Sequence, residues 1–425
     1  MYEDALDRAS AGPSRSQYGV PATATYNPRT MPIYLDHAAT TPLRPEVLEA
    51  MLPFLGGTFG NPSSAHAWGR MAREALDDAH DRLARAVGAD AREIVFTSGG
   101  TEASNLALKG AAWAGRARGA RIVTSAVEHH AVGHTLSHLE KFGFEVVEVP
   151  VDRYGRVDPA DVETAITDRT ILVTVMLANN EVGTLQPIEE IARVVHARRG
   201  VLLHVDAVQA APWVDLDAQA LGADLMALGA HKAEGPKGTG ALWIRRGTHV
   251  LAQQHGGAQE RHRRAGTENV AGAVGMAKAF ELVRAERTES AAQLGPLRER
   301  LASAVLAVDG VELTGHPVDR LPHILSVVAR GIDGGSIVLA LDLEGIATST
   351  GSACSSGSDE VSHVLAAMGY PAEEARGALR LSLGRTTTEA EITEAVRVVP
   401  EVLRRLVAAA GAASAPALKV EAAAG

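Results

Sequence analysis

The chain has 425 residues, 46% of them hydrophobic and 22% charged, a balance that excludes wholesale disorder and suggests about two domains, or one large α/β domain carrying a smaller one. Lys and Arg number 41 against 51 Asp and Glu; the net charge of −10 argues against a broad surface for nucleic acid or anionic lipid, so any phosphate must be caught locally. No apolar run approaches the roughly 20 residues of a membrane helix, the amino terminus lacks the apolar stretch of a signal peptide, and one cysteine excludes an internal disulfide or a cysteine-rich metal site, so the cytoplasm is expected and no metal.

Residues 1–30, rich in Ser, Ala, Thr, Pro and Arg without periodicity, read as a disordered tail, as do the Ala-biased residues 408–425. Between them, short apolar runs alternate with helix-like segments, the pattern of a mainly parallel sheet covered by helices. The expected strands are Ile94–Thr97, Arg121–Ser125, Glu145–Val149, Ile171–Met176, Val201–Val205, Asp224–Leu228 and Gly240–Ile244. A helix is expected from Pro187, with Ile188, Ile191 and Val195 on one face, and another through Leu297, Leu301 and Val305. The second follows a Glu/Arg-rich stretch near 281–300 and leads into a smaller domain.

The polar segments SGGTE (98–102), EHH (128–130), NNE (179–181), DAVQ (206–209) and GAHK (229–232) each follow an expected strand, and in open α/β sheets ligands sit at strand carboxyl ends. Ser98 to Thr101 form either a phosphate cradle of exposed helix-start N–H groups or a plain glycine turn capped by Thr101. Lys232 closes a strand beside His231 and precedes AEGPKGTGALW, whose Gly and Pro residues shape a tight loop. A lysine in such a polarised, partly dry place can present a free amine for a Schiff base with pyridoxal phosphate. That cofactor also needs a carboxylate at its pyridine nitrogen, and Asp206 is the candidate, although Asp after a strand is often only a cap. Gln209, three residues on, could donate to the ring oxygen.

YLDHAATTP (34–42), GNPSSAH (60–66), FTSGGTEASNLA (96–107), NNEVG (179–183), HVDAVQ (204–209), HKAEGPKGTGALW (231–243), RAGTEN (264–269), GSACSS (351–356) and RLSLGRTT (380–387) occur in this order. Over about residues 32–400 the chain resembles the cysteine desulfurase family of the class V aminotransferase superfamily.

The resemblance implies a fold type I pyridoxal-phosphate enzyme: a large domain (43–288) with a mainly parallel seven-stranded sheet, and a smaller α+β domain built from 31–42 and 289–407. It implies a homodimer. Lys232 would carry the cofactor, Asp206 would pair with the pyridine nitrogen, Gln209 would donate to the ring hydroxyl, and His129 would stack on the ring. His130 is the alternative to His129 at a register shift of one. Gly100, Thr101 and His231 would hold the phosphate, joined by Thr267 from the other subunit. Gly229 stands where most members have a serine donor, a loss of roughly 1.5–3 kcal/mol in phosphate binding unless something replaces it. Arg380 would grip the substrate carboxylate, assisted by Asn180, while Arg385 is the alternative and otherwise a structural ion-pair partner.

Cys354 lies in TSTGSACSSGSDE, with no apolar periodicity, so an exposed, flexible loop is expected. By resemblance it attacks the sulfur of L-cysteine, retains it as a persulfide and releases L-alanine, with Lys232 moving the α-proton and His129 serving as proton donor or acceptor. The long loop from Ser349 to Glu360 resembles the subclass that delivers sulfur to an acceptor protein, an iron–sulfur scaffold or a tRNA-thiolation protein. Selenocysteine lyase, another class V activity and a non-catalytic scaffold are the rival readings.

Overall fold

A computed structural model of the chain describes residues 32–351 and 361–414. Its centre is a seven-stranded sheet in the order Ile94–Thr97, Gly240–Ile244, Leu225–Gly229, Leu202–Asp206, Thr170–Thr174, Arg121–Ser125 and Glu145–Val149. Only Gly240–Ile244 runs antiparallel to its neighbours; the other pairings are parallel. These are the seven segments expected from sequence, with ends shifted by one or two residues. They are readable because helices cover both faces, so that LMALG and GALWI are buried at every position. The edge strand EVVEV is half-buried and carries Glu145 and Glu148, charges that discourage a further strand from adding there.

One face of the sheet packs against the helices Ala67–Ala86 and Ile188–His196, through Leu76, Leu83, Ile188, Ile191 and Val195. The helix expected from Pro187 is present, with Pro187 at its cap. The other face is covered by Gly100–Gly115 and His130–Glu140, through Leu106, Leu108, Val132 and Leu136.

A second core gathers Leu35, Leu297, Leu301, Leu325, Leu379 and Val399 around a three-stranded antiparallel sheet, ordered Ala378–Ser382, Ile324–Ala329, Val311–Leu313. Ile33–Tyr34, from the beginning of the described chain, pairs in parallel with Ile346–Ala347, so both ends of the sequence build this unit. A single helix, Val270–Leu306, belongs to both cores: Val274, Met276 and Phe280 enter the first, and Leu294, Leu301 and Val305 the second. The Glu/Arg-rich stretch is its exposed middle, so the chain passes between the units along a helix rather than through a linker.

The final helix, Glu389–Ser414, continues past residue 408, where a tail was expected to begin. Ala-rich composition suits a helix as well as a tail, alanine being the best helix former. Among the described residues no helix is long and apolar enough to cross a membrane.

Candidate active site

Because the parallel strands point the same way, their polar carboxyl-terminal extensions meet along one edge of the sheet. There they line a cavity of about 310 Å³ closed by Arg380 from the second unit. Gly100, Thr101, His129, Asn180, Asp206, Gln209, His231, Lys232 and Arg380, all singled out from sequence, face this one space.

Lys232 ends a short helical turn, Ala230–Lys232, directly after the strand Leu225–Gly229. Its Nζ donates to the Ala39 carbonyl at 2.8 Å and also to that of Ala38. The same loop is fastened by the Thr41 hydroxyl, which donates to the His231 carbonyl at 2.8 Å. His231 packs beside it, its Nδ1 3.2 Å from the Thr40 hydroxyl, and burial and the neighbouring Lys232 lower its pKa to about 4.

Asp206 ends the adjacent strand and is buried, one oxygen accepting from the Val208 N–H at 3.0 Å. Burial pushes its carboxyl up to about 6, against the pull of Lys232. Gln209 is also buried; its Nε2 lies 3.4 Å from His323 Nε2, and its Oε1 has no partner among the described residues. A buried acid short of donors beside an amide with unused capacity suits a polar, cationic heteroaromatic group in the cavity.

His129 caps helix His130–Glu140, its Nδ1 accepting from the Ala131 N–H at 3.0 Å. Burial, reinforced by Lys232 and neighbouring histidines, lowers its pKa to about 4, so at neutral pH the ring is uncharged and its proton sits on Nε2. His130 lines the cavity too, so the register alternative lies within the same site.

The start of helix Gly100–Gly115 requires glycine, since a Cβ on Gly100 would lie 2.5 Å from Val208 Cγ2. Gly100 and Thr101, which open this helix, line the cavity, and because a helix start is an anion-binding end this favours the phosphate-cradle reading over a plain turn. A Cβ on Gly229 would sit 3.0 Å from Val208 Cγ1 and 3.8 Å from the Gly100 nitrogen, so the missing side chain borders that same helix start.

Arg380, 2% exposed, lies on an outer strand of the small sheet, opposite Ser326 of the central strand. Its guanidinium donates to Asp36 Oδ1 at 2.9 Å, the Asn180 carbonyl at 2.7 Å and the Gly351 carbonyl at 3.2 Å. Arg385 does not line the cavity; its Nε donates to Glu234 at 2.8 Å, the structural ion pair that was its alternative role. Thr267 is exposed and does not line the cavity of its own chain. Cys354 lies outside the described residues, but Gly351, three positions before it, is part of the cavity wall.

Sequence reasoning passed over Asp36, which pairs with Arg380, and Glu128 and His363 near His129. Asp36 stands within YLDHAATTP, and Glu128 precedes the two histidines; both were visible as charged residues in apolar company, whereas His363 carries no local signal.

The chain matches the family model described as aminotransferase class-V over residues 33–394. It is 50% identical to cysteine desulfurase IscS of Methanosarcina thermophila over 374 residues, 88% of this chain and 92% of that protein. Against cysteine desulfurase IscS of Dictyoglomus turgidum the identity is 47%, over 88% of this chain and 95% of the relative. Among solved structures, a NifS-like protein superposes with a TM-score of 0.84 at 38% identity, covering 88% of this chain and 100% of that one. SspA in complex with cysteine gives 0.74 at 32% identity, with 84% and 100% covered.

Proposed function

This chain belongs to the class-V aminotransferase family, among its cysteine desulfurases, and we propose that it removes sulfur from L-cysteine with pyridoxal phosphate, leaving L-alanine and a persulfide on Cys354. The observation that carries this reading is the single cavity in which Lys232, Asp206, Gln209, His129 and Arg380 converge from four separate segments.

The residues fit the cofactor. Lys232 would hold it covalently, Asp206 would meet the protonated ring nitrogen, Gln209 the ring oxygen, and the helix start at Gly100 and Thr101 with His231 the phosphate. Pyridoxal phosphate supplies the electron sink that stabilises the carbanion left when the substrate α-proton departs.

The chain's own groups do the rest. Arg380 binds the substrate carboxylate, and its bonds to Asp36 and Asn180 hold its fork in place before substrate arrives. Lys232 takes the α-proton. Neutral His129 offers its Nε2 proton to the cavity and can recover one, as a proton carrier requires.

Two observations support a homodimer. Leu48, Leu52 and Leu55 form an exposed apolar stripe on helix Pro45–Leu55, and exposed Phe59 stacks on exposed Trp68 at 5.8 Å. Thr267, outside its own chain's cavity, is then available to the partner's phosphate. A sulfur-acceptor protein, an iron–sulfur scaffold or a tRNA-thiolation protein, would take the persulfide in the cytoplasm.

The test is direct. The purified protein with pyridoxal phosphate is yellow, and in a single turnover L-cysteine yields equal amounts of alanine and protein-bound persulfide. Cys354→Ala keeps the colour and loses the persulfide, whereas Lys232→Ala loses the covalent colour. Undiminished cysteine turnover by Cys354→Ala would overturn the nucleophile assignment, and a protein that never takes up cofactor would favour a scaffold.

A further inference from the structure

Behind the active-site histidines lies a second cavity of about 300 Å³, between helix His130–Glu140 and the strands Arg121–Ser125 and Glu145–Val149. His130 and His363 line both cavities, so their rings, 5.0 Å apart, form the partition. The lining is polar, with Thr124, Ser137, Glu140 and Glu148 among it.

Glu128 and Thr124 on this wall are 4% and 2% exposed. Glu128 Oε2 and Thr124 Oγ1 nevertheless have no hydrogen-bond partner among the described residues. With Ser137, Glu140 and Glu148 exposed along it, this polar space opens to solvent, and water can enter it. The other Glu128 oxygen, Oε1, accepts from the Ser125 hydroxyl at 2.6 Å and from the Met176 N–H at 2.8 Å. With Oε1 occupied by two donors, a proton on this carboxyl sits on Oε2. Burial, with the nearby Asp206 carboxylate, pushes Glu128 up to about 8, so the proton is present at neutral pH.

His363 donates its Nε2 proton to the Glu128 carbonyl at 2.8 Å. His134 stacks against His130 at 5.0 Å. The titratable groups around Glu128 are thus His130, His134 and Glu140 on the helix, Glu148 on the edge strand, Asp206 in the sheet, and His363 from the second unit.

We propose that Glu128 holds a proton for the desulfuration and that the chamber, filled with water, passes protons between it and the active-site cavity through His130 and His363. The inference rests on the desulfurase reading. Moving sulfur from L-cysteine onto a cysteine thiol breaks a C–S and an S–H bond and forms an S–S and a C–H bond. The carbon receives the two electrons that the sulfurs give up, so no outside reductant enters. The thiol proton leaves before the carbon gains one. The imidazoles accept it, Glu128 supplies the carbon's proton, and the waters carry the imidazoles' proton back to Glu128, so that the relay ends each turnover as it began.

Two variants of the holoenzyme test this. Glu128→Gln keeps an acceptor for Ser125 and Met176 but has no acidic proton. Gly133→Leu fills the chamber: Gly133 lines it, and a Cβ there meets nothing within 4 Å. Wild-type kcat is expected to fall as pH rises through about 8. Glu128→Gln loses that limb and drops kcat about 100-fold, the lower end for a general acid, with KM and the yellow colour retained. Gly133→Leu lowers kcat and raises its solvent deuterium isotope effect, because proton transfer becomes the slower step. A Glu128→Gln enzyme with the wild-type limb and kcat would overturn the role of Glu128, and an unaffected Gly133→Leu would overturn the route. A wild-type chain that makes no alanine from cysteine overturns the desulfurase reading itself, a different result from either.

Discussion

Replacing Asp206 by Asn should abolish tight cofactor binding and yet stabilise the cofactor-free protein. The folded carboxyl is pushed up to about 6 from its ordinary value of 3.8, because burial withholds the water that would stabilise its charge. About two pKa units at about 1.4 kcal/mol each is about 3 kcal/mol. The sign follows from linkage: the folded state keeps this proton to higher pH than the unfolded state, so the native fold loses stability as pH rises from about 4, with the loss complete above about 6. Asn is neutral at every pH, has the same shape and still accepts from the Val208 N–H. The cofactor-free variant should therefore match wild type near pH 4 and exceed it by up to about 3 kcal/mol at pH 7. Urea midpoints of both cofactor-free proteins across this range give the difference, in which other titrations cancel. Absorbance titration with pyridoxal phosphate should show the variant binding far more weakly, because the ring nitrogen loses its anionic partner. Equal stability at pH 7, or a gap that closes as pH rises, would refute the reasoning.

Arg380→Lys should raise the KM for cysteine at least about tenfold while the colour persists, since a lysine cannot reproduce the fork that meets a carboxylate; steady-state kinetics decide it. Gly229→Ser should slow cofactor loss on dialysis, and more so with Val208→Ala, which relieves the 3.0 Å approach to Val208 Cγ1; the added donor is worth about 1.5–3 kcal/mol. Leu52→Glu, at a position 56% exposed, should leave the fold intact but yield monomers by light scattering, with weaker cofactor retention if Thr267 serves the partner's site. Since His129 titrates at about 4, the kcat profile should show no limb near the ordinary histidine range, which a pH series on wild type and His129→Asn would check.

The large sheet was legible because its inner strands are buried on both faces and so read as short apolar runs bounded by polar, glycine-rich turns. Parallel strands place all their carboxyl ends on one edge, so chemistry-bearing residues that follow strands must meet, and Lys232, Asp206, His129 and Asn180 do. Lys232 was marked by local grammar, a strand followed by a tight Gly- and Pro-shaped loop, whereas the glycine at 100 left a plain turn open until its helix was seen to start at the cavity.

What tertiary structure alone decided involves partners far apart in sequence. Asp36 and Arg380 are 344 positions apart and form one partly buried pair, and the choice of Arg380 over Arg385 at the cavity rests on which of them Glu234 claims. Helix Val270–Leu306 crosses both cores, which its period could not reveal because each half buries a face against a different unit. Glu128 and Thr124 keep polar atoms unsatisfied on the wall of a chamber that exists only once helix and sheet have packed. Periodicity reports which residues leave water, but the company they find there is set by packing between distant segments, and that company gives a buried charge its work.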